Sequence, residues 1–170
     1  MLKPAILYKD QLEQKFKEVF YDLKYQYFTH GSMNNVPDIP NNNEKFHCFA
    51  SVDENDNVLG YVSYGVDWEA MTTVGFGAIS FVPGGSVTYA YDLREAIDNI
   101  FMKFNFNRIE WWAYADNPAI RGYDAFIKRY GGSRVGYLHQ NVKLLDGKVH
   151  DSIIYEVMRE NYIAHRKGVK

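Results

Sequence analysis

The sequence predicts an α/β (α+β) fold: a mixed, mostly antiparallel central sheet of about seven strands with helices on both faces. Two hairpin signals, one at residues 54–57 and one at Asp146-Gly147, indicate antiparallel neighbours. A strand–helix–strand–helix order in the middle of the chain requires some parallel pairing. The length of 170 residues is that of one ordinary domain, so we expect a single domain over residues 1–170.

Two short patterns and a loop composition predict the elements before residue 46. The apolar run at residues 4–8 predicts a short strand. Leu12, Phe16 and Val19 recur at helical spacing and predict one helix over residues 11–28. Residues 30–45 are rich in Gly, Pro and Asn, which predicts a long loop and favours a lid or binding loop over filler.

The middle of the chain contains three predicted strands and a helix. Residues 46–53 and 57–66 predict two strands joined by a tight turn, and residues 75–82 predict a third. The third strand leads into Gly84 and Gly85, after which apolar residues recur on one face of a helix. A strand–glycine–helix junction of this kind is typical either of a phosphate cradle or of an ordinary tight turn.

The last third predicts a strand, a helix and a hairpin. Residues 108–116 are strongly β-prone, and Asn117-Pro118 opens a helix over residues 118–130 that ends at glycine. Two strands follow around Asp146-Gly147. The charged tail, residues 163–170, is expected to be frayed.

Composition and charge narrow the functional classes. A net charge of -2 favours neither nucleic acid nor a membrane as a partner, and no apolar run has membrane-spanning length. The single cysteine, Cys48, excludes an internal disulfide and fits a reducing compartment, so we expect a cytoplasmic protein with Cys48 buried in a strand. The histidines lack metal-ligand spacing, so we expect no metal site.

The last third also carries residues whose joint spacing resembles a known family. Gly132, Gly136, Asp146-Gly147, Asp151 and residues 159–162 follow a strand that ends in Asn and a short helix. In this spacing, and in element order over nearly the whole chain, the sequence resembles the GCN5-related N-acetyltransferase superfamily. Within it, the sequence is most similar to the ribosomal-protein N-acetyltransferase (RimJ/RimL-like) branch.

The resemblance implies transfer of an acetyl group from acetyl-CoA, as co-substrate, to a primary amine of a protein, peptide or small molecule. It implies that the strand at 75–82 splays from the strand at 108–116, and that pantetheine lies in the gap. The pyrophosphate would then meet N–H groups at the start of the next helix. The loop at 30–45 and the final hairpin would form the acceptor end, and a homodimer is left open.

The phosphate loop of that family, (Q/R)-x-x-G-x-(G/A), is matched only in part. Registering Leu93 on the family's helix leucine places residues 85–90 on the loop, where only Ala90 agrees. We expect backbone and hydroxyl groups to replace the missing side chains, with Asp92 in the first turn as an opposing charge. The cofactor-binding residues implied at this junction are Phe81, Val82, Gly84, Gly85, Ser86, Val87, Thr88 and Tyr89.

Two further residues are implied near the cofactor. The family often uses a hydroxyl near the start of the penultimate helix to protonate the departing thiolate, and Tyr123 is the candidate here, with Tyr130 as the fallback. Packing is the alternative role for Tyr123. Asn117 matches a cofactor-contact position, and it is equally suited to cap the helix that follows.

Glu110 is the best-placed candidate for a general base, because Trp112 and Tyr114 share its strand face. Asp67 and Glu69 are less favoured, and a relayed water is an alternative base. Because adjacent strand residues face opposite ways, one of Trp111 and Trp112 should be core and the other should line a groove or partner interface.

A second function class stays open. The degenerate phosphate loop also fits a domain that has lost catalysis and serves as a binding or assembly module. Transfer of a different acyl group through the same cleft is a third alternative. Binding of CoA separates the first two classes.

Overall fold

The structure, a computed structural model, describes residues 1–29, 37–41 and 44–166. The strands are β1 (Leu2–Pro4), β2 (Phe46–Val52), β3 (Val58–Asp67), β4 (Thr72–Ser80), β5 (Arg108–Tyr114), β6 (Ser133–Lys143) and β7 (Val149–Met158). The helices are α1 (Lys9–Val19), α2 (Gln26–Thr29), α3 (Val87–Asp98), α4 (Ile120–Tyr130) and α5 (Arg159–Arg166), and α3 continues into a π-helical segment, Asn99–Lys103.

The strands form one seven-stranded sheet in the order β1-β2-β3-β4-β5-β7-β6. Every neighbouring pair is antiparallel except β4 and β5, which run parallel. This confirms the predicted mixed, mostly antiparallel sheet. The parallel pair arises because the chain crosses from β4 to β5 through α3, as parallel neighbours require.

Strand alternation divides the apolar residues between two cores, one on each face of the sheet. On one face, Leu12 and Phe16 of α1 pack with Tyr61 of β3. On the other, Phe101, at the end of α3, packs with Tyr155 of β7. Helices therefore cover both faces, α1 and α2 on one side and α3, α4 and α5 on the other, as predicted.

The parallel strands β4 and β5 separate almost as soon as they meet. They pair only at Thr72 with Arg108 and at Thr73 with Ile109. Just beyond this point, two residues of β4, Gly75 and Phe76, stand opposite one residue of β3. Gly75 has φ of 61°, the left-handed conformation of the first residue in a G1 bulge. Such a bulge bends its strand, which accounts for the divergence of β4 from β5.

The N-terminal elements differ from the prediction. The chain pairs as a strand only at Leu2–Pro4, and Ala5–Tyr8 is a 3₁₀ helix that buries Ala5. The single helix predicted over residues 11–28 is broken after α1, because the Asp22 side chain accepts a hydrogen bond from the Lys24 N–H and caps a new 3₁₀ turn. Much of the loop predicted at 30–45 lies outside the described residues.

Boundaries elsewhere shift by a few residues. β4 starts at Thr72, three residues before the predicted strand, and α4 starts two residues after the predicted helix. The first four residues of the predicted frayed tail, 163–166, form the end of α5, and the last four lie outside the described residues. Among the described residues, none of the helices is long and apolar enough to span a bilayer.

Candidate active site

The divergence of β4 and β5 opens a cavity of about 420 Å³ on the face covered by α3 and α4. We call it the α3–α4 cavity. Phe76, Ala78 and Ser80 line it from β4, while Tyr89 and Tyr123 line it from the two helices. Its volume is in the usual range of small-molecule and cofactor sites. The predicted gap between these strands is therefore a cavity.

Tyr123 lies inside the α3–α4 cavity. Its ring packs against Trp111 and Tyr155, with centroids 6.0 and 5.9 Å away. No described residue forms a hydrogen bond with its hydroxyl, and burial raises the pKa of Tyr123. The phenol therefore stays protonated near neutral pH and has an O–H to donate. The fallback, Tyr130, lines neither cavity and stacks on Tyr162 with centroids 4.6 Å apart.

The glycines after β4 form a turn. The Gly85 N–H donates to the Val82 carbonyl at 3.0 Å, and Gly84 and Gly85 have φ of 79° and 92°. Pro83 followed by a left-handed glycine is typical of a type II turn. Of the two roles considered for this junction, the tight turn describes Gly84 and Gly85 themselves, and an anion would have to meet the helix that begins just after them.

Ser86 is the N-cap of α3, and its Oγ accepts a hydrogen bond from the Tyr89 N–H at 3.3 Å. The Ala90 N–H already bonds to the Ser86 carbonyl. The N–H groups of Val87 and Thr88, in the first turn, have no acceptor within the helix. Together with the Ser86 hydroxyl, they are the groups that could hold an anion here.

The opposing charge expected from Asp92 is not present at the helix end, so that expectation was wrong. Asp92 lies in the second turn of α3 and is 5% exposed. Its Oδ2 accepts a hydrogen bond from the Ser51 hydroxyl at 2.6 Å and lies 2.8 Å from the amino group of Met1. The carboxylate faces the sheet, and the first turn of α3 carries no acidic residue.

Two of the implied cofactor contacts have other roles in the structure. The Phe81 ring meets the Phe16 ring edge to face at 5.2 Å, on the α1 side of the sheet, so only its backbone is left for a ligand near α3. The Asn117 Oδ1 accepts a hydrogen bond from the Ala119 N–H at 2.9 Å. Asn117 therefore organises the turn that leads into α4, the alternative that the sequence left open.

A second cavity, of about 620 Å³, lies on the opposite face of the sheet, and we call it the α2-face cavity. β5 contributes Glu110, Trp112 and Tyr114, and α2 contributes Phe28. This confirms that the three β5 residues share one face, as strand alternation predicted. Phe76 of β4 lines both cavities, so the two spaces meet where β4 leaves β5.

Glu110 is partly buried in a small charged group. Arg108 Nη2 lies 3.5 Å from Glu110 Oε2, and Arg108 Nη1 lies 3.8 Å from Glu156 Oε2. The other carboxylates considered as bases have no such position. Asp67 accepts hydrogen bonds from the N–H groups of Glu69 and Ala70 in the β3–β4 turn. Neither Asp67 nor Glu69 is among the described residues that line these two cavities.

The two tryptophans divide as predicted. Trp111 is 5% exposed and belongs to the core on the α4 side, whereas Trp112 is 51% exposed and lines the α2-face cavity. Cys48 is buried in β2, as expected, and lines neither cavity. The described residues contain no group of three or more His, Cys, Asp or Glu side chains that could hold a metal ion.

Sequence reasoning missed Phe76, the residue shared by the two cavities. The available signal was its position between Gly75 and Gly77, since glycines inside a strand mark a bulge or a close approach by another group. The two candidate catalytic residues, Glu110 and Tyr123, line different cavities on opposite faces of the sheet.

Comparison with solved structures identifies the fold. A crystal structure described only provisionally as an acetyltransferase superposes with a TM-score of 0.69 at 19% identity, covering 99% of this chain and 93% of that one. Spermidine N-acetyltransferase SpeG from Vibrio cholerae, in complex with manganese ions, gives a TM-score of 0.62 at 18% identity, covering 91% and 77%. No protein-family model and no curated protein sequence matches the chain. The likeness shows that the chain has the GCN5-related N-acetyltransferase fold.

Proposed function

We propose that this protein is an acetyl-CoA-dependent N-acetyltransferase that acts on a primary amine. The observation that carries the proposal is the divergence of β4 from β5 after two paired residues, with a cavity on each face and Phe76 shared between them. Acyl transfer needs a donor and an acceptor to meet at one point, and two cavities that share Phe76 would allow this. The solved acetyltransferases of the same fold support the same reaction class.

The α3–α4 side would bind the cofactor. Backbone groups of β4 beyond Thr73 are not paired with β5 and can bond to an extended pantetheine chain. The N–H groups of Val87 and Thr88, at the positive end of α3, would hold the pyrophosphate. With Asp92 buried and paired elsewhere, no first-turn carboxylate opposes this. The residues present therefore fit CoA, although the side chains of the usual phosphate loop are missing.

The two candidate catalytic residues would act from opposite sides of the sheet. Glu110, or a water that it positions, would take the proton that the ammonium must lose before its nitrogen attacks the thioester carbonyl. As the carbon–sulfur bond breaks, the Tyr123 hydroxyl would give its proton to the departing sulfur. The raised pKa of Tyr123 keeps that proton in place until it is needed.

The acceptor would enter the α2-face cavity. The name of SpeG makes a polyamine one acceptor to test, and the sequence resemblance to the ribosomal-protein branch makes a protein N-terminus another. That branch, a homodimer and a cytoplasmic location rest on the sequence alone.

The test is a thermal shift with CoA and with acetyl-CoA, followed by an assay of thiol release with a panel of amines. A ligand that binds only the folded protein stabilises it by about 2.7 kcal/mol at a hundredfold excess over Kd. For a chain of this size we expect a rise in Tm of about 5–10 °C. No rise at millimolar CoA would contradict the proposal and favour a non-catalytic binding module.

A cavity-filling variant tests whether the CoA-dependent rise in Tm comes from binding in the α3–α4 cavity. Gly122 lines the α3–α4 cavity on α4, and a Cβ there would meet no atom within 4 Å. Gly122→Phe should fold, because the Cβ meets no atom within 4 Å and the ring has the cavity to occupy, and it should lose the CoA-dependent rise. Gly122→Ala is the matched control and should keep it. A rise that survives in Gly122→Phe would place CoA elsewhere.

A further inference from the structure

We infer that the α2-face cavity selects an amine with a single positive charge that carries an aromatic ring close to its amino group. The inference rests on the proposed function and names its acceptor class. It follows from two properties of the cavity: its walls are aromatic, and its described lining holds one carboxylate, that of Glu110.

The aromatic walls come from three different elements. Phe28 projects from α2, Phe76 from β4, and Trp112 and Tyr114 from β5. Trp112 is 51% exposed although it lies in the middle of a central strand. A half-exposed indole in a concave surface is a feature of ligand sites, because flat rings bind other rings and cations with little loss of side-chain entropy.

The charge in the cavity suits one ammonium group. Glu110 is the charged residue among its described lining. Arg108 Nη2 lies 3.5 Å from Glu110 Oε2, so the negative charge of this one carboxylate is already partly offset and can balance no more than one ammonium group. A polyamine, with several cationic nitrogens, would leave charges without a carboxylate partner in an apolar space.

The position of Phe76 determines which end of the acceptor lies at the transfer point and which end lies along the aromatic walls. The transfer point lies beside this residue, because it lines both cavities. The amine must therefore lie near Phe76 and Glu110, while the rest of the molecule extends along Trp112 and Tyr114 towards Phe28. An aromatic ring one or two carbons from the nitrogen would meet these walls. Both a small arylalkylamine and a peptide with an aromatic first residue have this chemistry.

The experiment compares acceptors and then tests the wall and the charge separately. Phenethylamine, isobutylamine, spermidine and a peptide with N-terminal Phe are assayed with acetyl-CoA. We expect kcat/KM for phenethylamine to exceed the values for isobutylamine and spermidine by about tenfold or more. A higher value for the peptide than for phenethylamine would assign the site to a peptide N-terminus, and the reverse would assign it to a small amine.

The variants are compared by the affinity of phenethylamine for the protein saturated with CoA. A binding measurement is used because Glu110 is also the proposed general base, and its loss would lower activity whether or not the amine binds. Trp112→Leu and Glu110→Gln should each weaken binding about tenfold. Glu156→Gln is the matched control, because it removes the other carboxylate near Arg108 without lining the cavity, and its affinity should stay within about threefold. Retention of the CoA-dependent thermal shift shows that each variant is folded.

Preference for spermidine, or unchanged phenethylamine binding in Trp112→Leu, would overturn the inference while leaving the proposed function intact. Failure of CoA to bind the wild-type protein would instead overturn the proposed function, and the inference with it. The CoA thermal shift and the acceptor panel therefore distinguish the two failures.

Discussion

At the scale of single residues, Glu110 and Tyr123 show how much of a side chain's position can be predicted from strand alternation and helical spacing. Alternation along β5 puts Glu110 with Trp112 and Tyr114, and the structure agrees. Helical spacing puts Tyr123 near the start of α4, but it does not say that the hydroxyl enters a cavity. That position depends on Phe76 and Ser80 of β4, which are more than 40 residues earlier in the chain.

Tyr123→Phe should lower kcat about a hundredfold and change KM for acetyl-CoA by less than about threefold, because only the proton donated late in the reaction is lost. Steady-state kinetics with a saturating amine measure both constants. Tyr130→Phe is the matched control, since it removes a phenolic hydroxyl that lines neither cavity. Equal losses in the two variants, or an unchanged kcat in Tyr123→Phe, would remove Tyr123 from the reaction.

His150 shows a pairing that the sequence did not predict. It is 4% exposed, its Nδ1 lies 2.9 Å from Asp116 after β5, and its Nε2 lies 3.1 Å from Asp146 in the β6–β7 turn. The hydrogen bond with Asp146, together with Asp116, raises the pKa of His150 despite the opposite effect of burial. One imidazole therefore ties two loops together, and only when it is protonated can both ring nitrogens donate.

This pairing predicts a pH dependence of stability. Because the pKa of His150 is raised by folding, its contribution is complete below the unfolded value near 6.5 and is lost as the pH rises through the folded value. Urea unfolding of the wild type at a series of pH values from about 5 to 9 should show this decline. His150→Gln should flatten it, and the exposed His139, changed to Gln, should not. Equal slopes in wild type and His150→Gln would contradict the assignment.

At the scale of elements, the junction between β4 and α3 assigns the turn and the possible anion site to different residues, although the sequence left both roles open for the same glycines. The glycines make the turn, with φ of 79° and 92°, and the first turn of α3 presents the N–H groups. The sequence placed the glycines too early for the family's motif, and the structure explains the offset, because Ser86 rather than a glycine begins the helix. What the sequence could not supply was the direction of Asp92, which is set by its contact with Ser51 of β2.

Gly85→Asp should weaken CoA binding by more than Gly85→Asn. Both side chains tolerate a left-handed backbone comparably, so their difference isolates the negative charge near the start of α3. We expect the Kd of the Asp variant to be about threefold to tenfold higher than that of the Asn variant, as measured by calorimetry.

The same pair of changes at Gly147, which has φ of 79° in the distant β6–β7 turn, is the control and should give equal Kd values. Equal Kd values at position 85 as well would mean that no anion lies at the start of α3.

The elements themselves were predictable where the signals were local. The Asp146-Gly147 turn, the strands on both sides of it and the glycine end of α4 all follow from residues within a few positions of each other. The N-terminal helix was not predictable in the same way. Its apolar spacing continues past residue 19, but Asp22 bonds to a nearby N–H and starts a new turn. The sequence pattern also predicted that a strand begins at Gly75, whereas Gly75 lies at a bulge inside β4.

At the scale of the whole molecule, the two cavities of the candidate site exist because one strand pair is left incomplete. β5 is fully paired with β7 over seven positions, but it pairs with β4 at only two. The glycines on either side of Phe76 are a local sign of a bulge, but they do not say where pairing with β5 stops, because that depends on the register of β3 against the bulge in β4. The sequence indicated the gap only through a family resemblance, and it gave neither the second cavity nor the residue that joins the two.

Amide hydrogen exchange should detect this incomplete pairing. In the free protein, backbone groups on the facing edges of residues 76–80 and 110–114 lack part of their ladder and should exchange faster than the amides between β6 and β7. Saturating CoA should slow exchange in the first two segments by about tenfold, because an extended ligand would take up their unpaired groups. Exchange between β6 and β7 is the internal reference. Equal slowing everywhere would indicate global stabilisation rather than binding in the gap.

The two cavities lie on opposite faces of the sheet and meet at Phe76, which has a consequence for the reaction kinetics. Under the proposed activity, neither reactant would have to leave before the other arrives. Donor and acceptor could therefore bind together, and no acyl-enzyme intermediate would be needed. The chain's sole thiol, on Cys48, packs inside β2 and lines neither space, which is consistent with direct transfer. Under the proposed activity, the steady-state rate law is that of a ternary complex, not of a substituted enzyme.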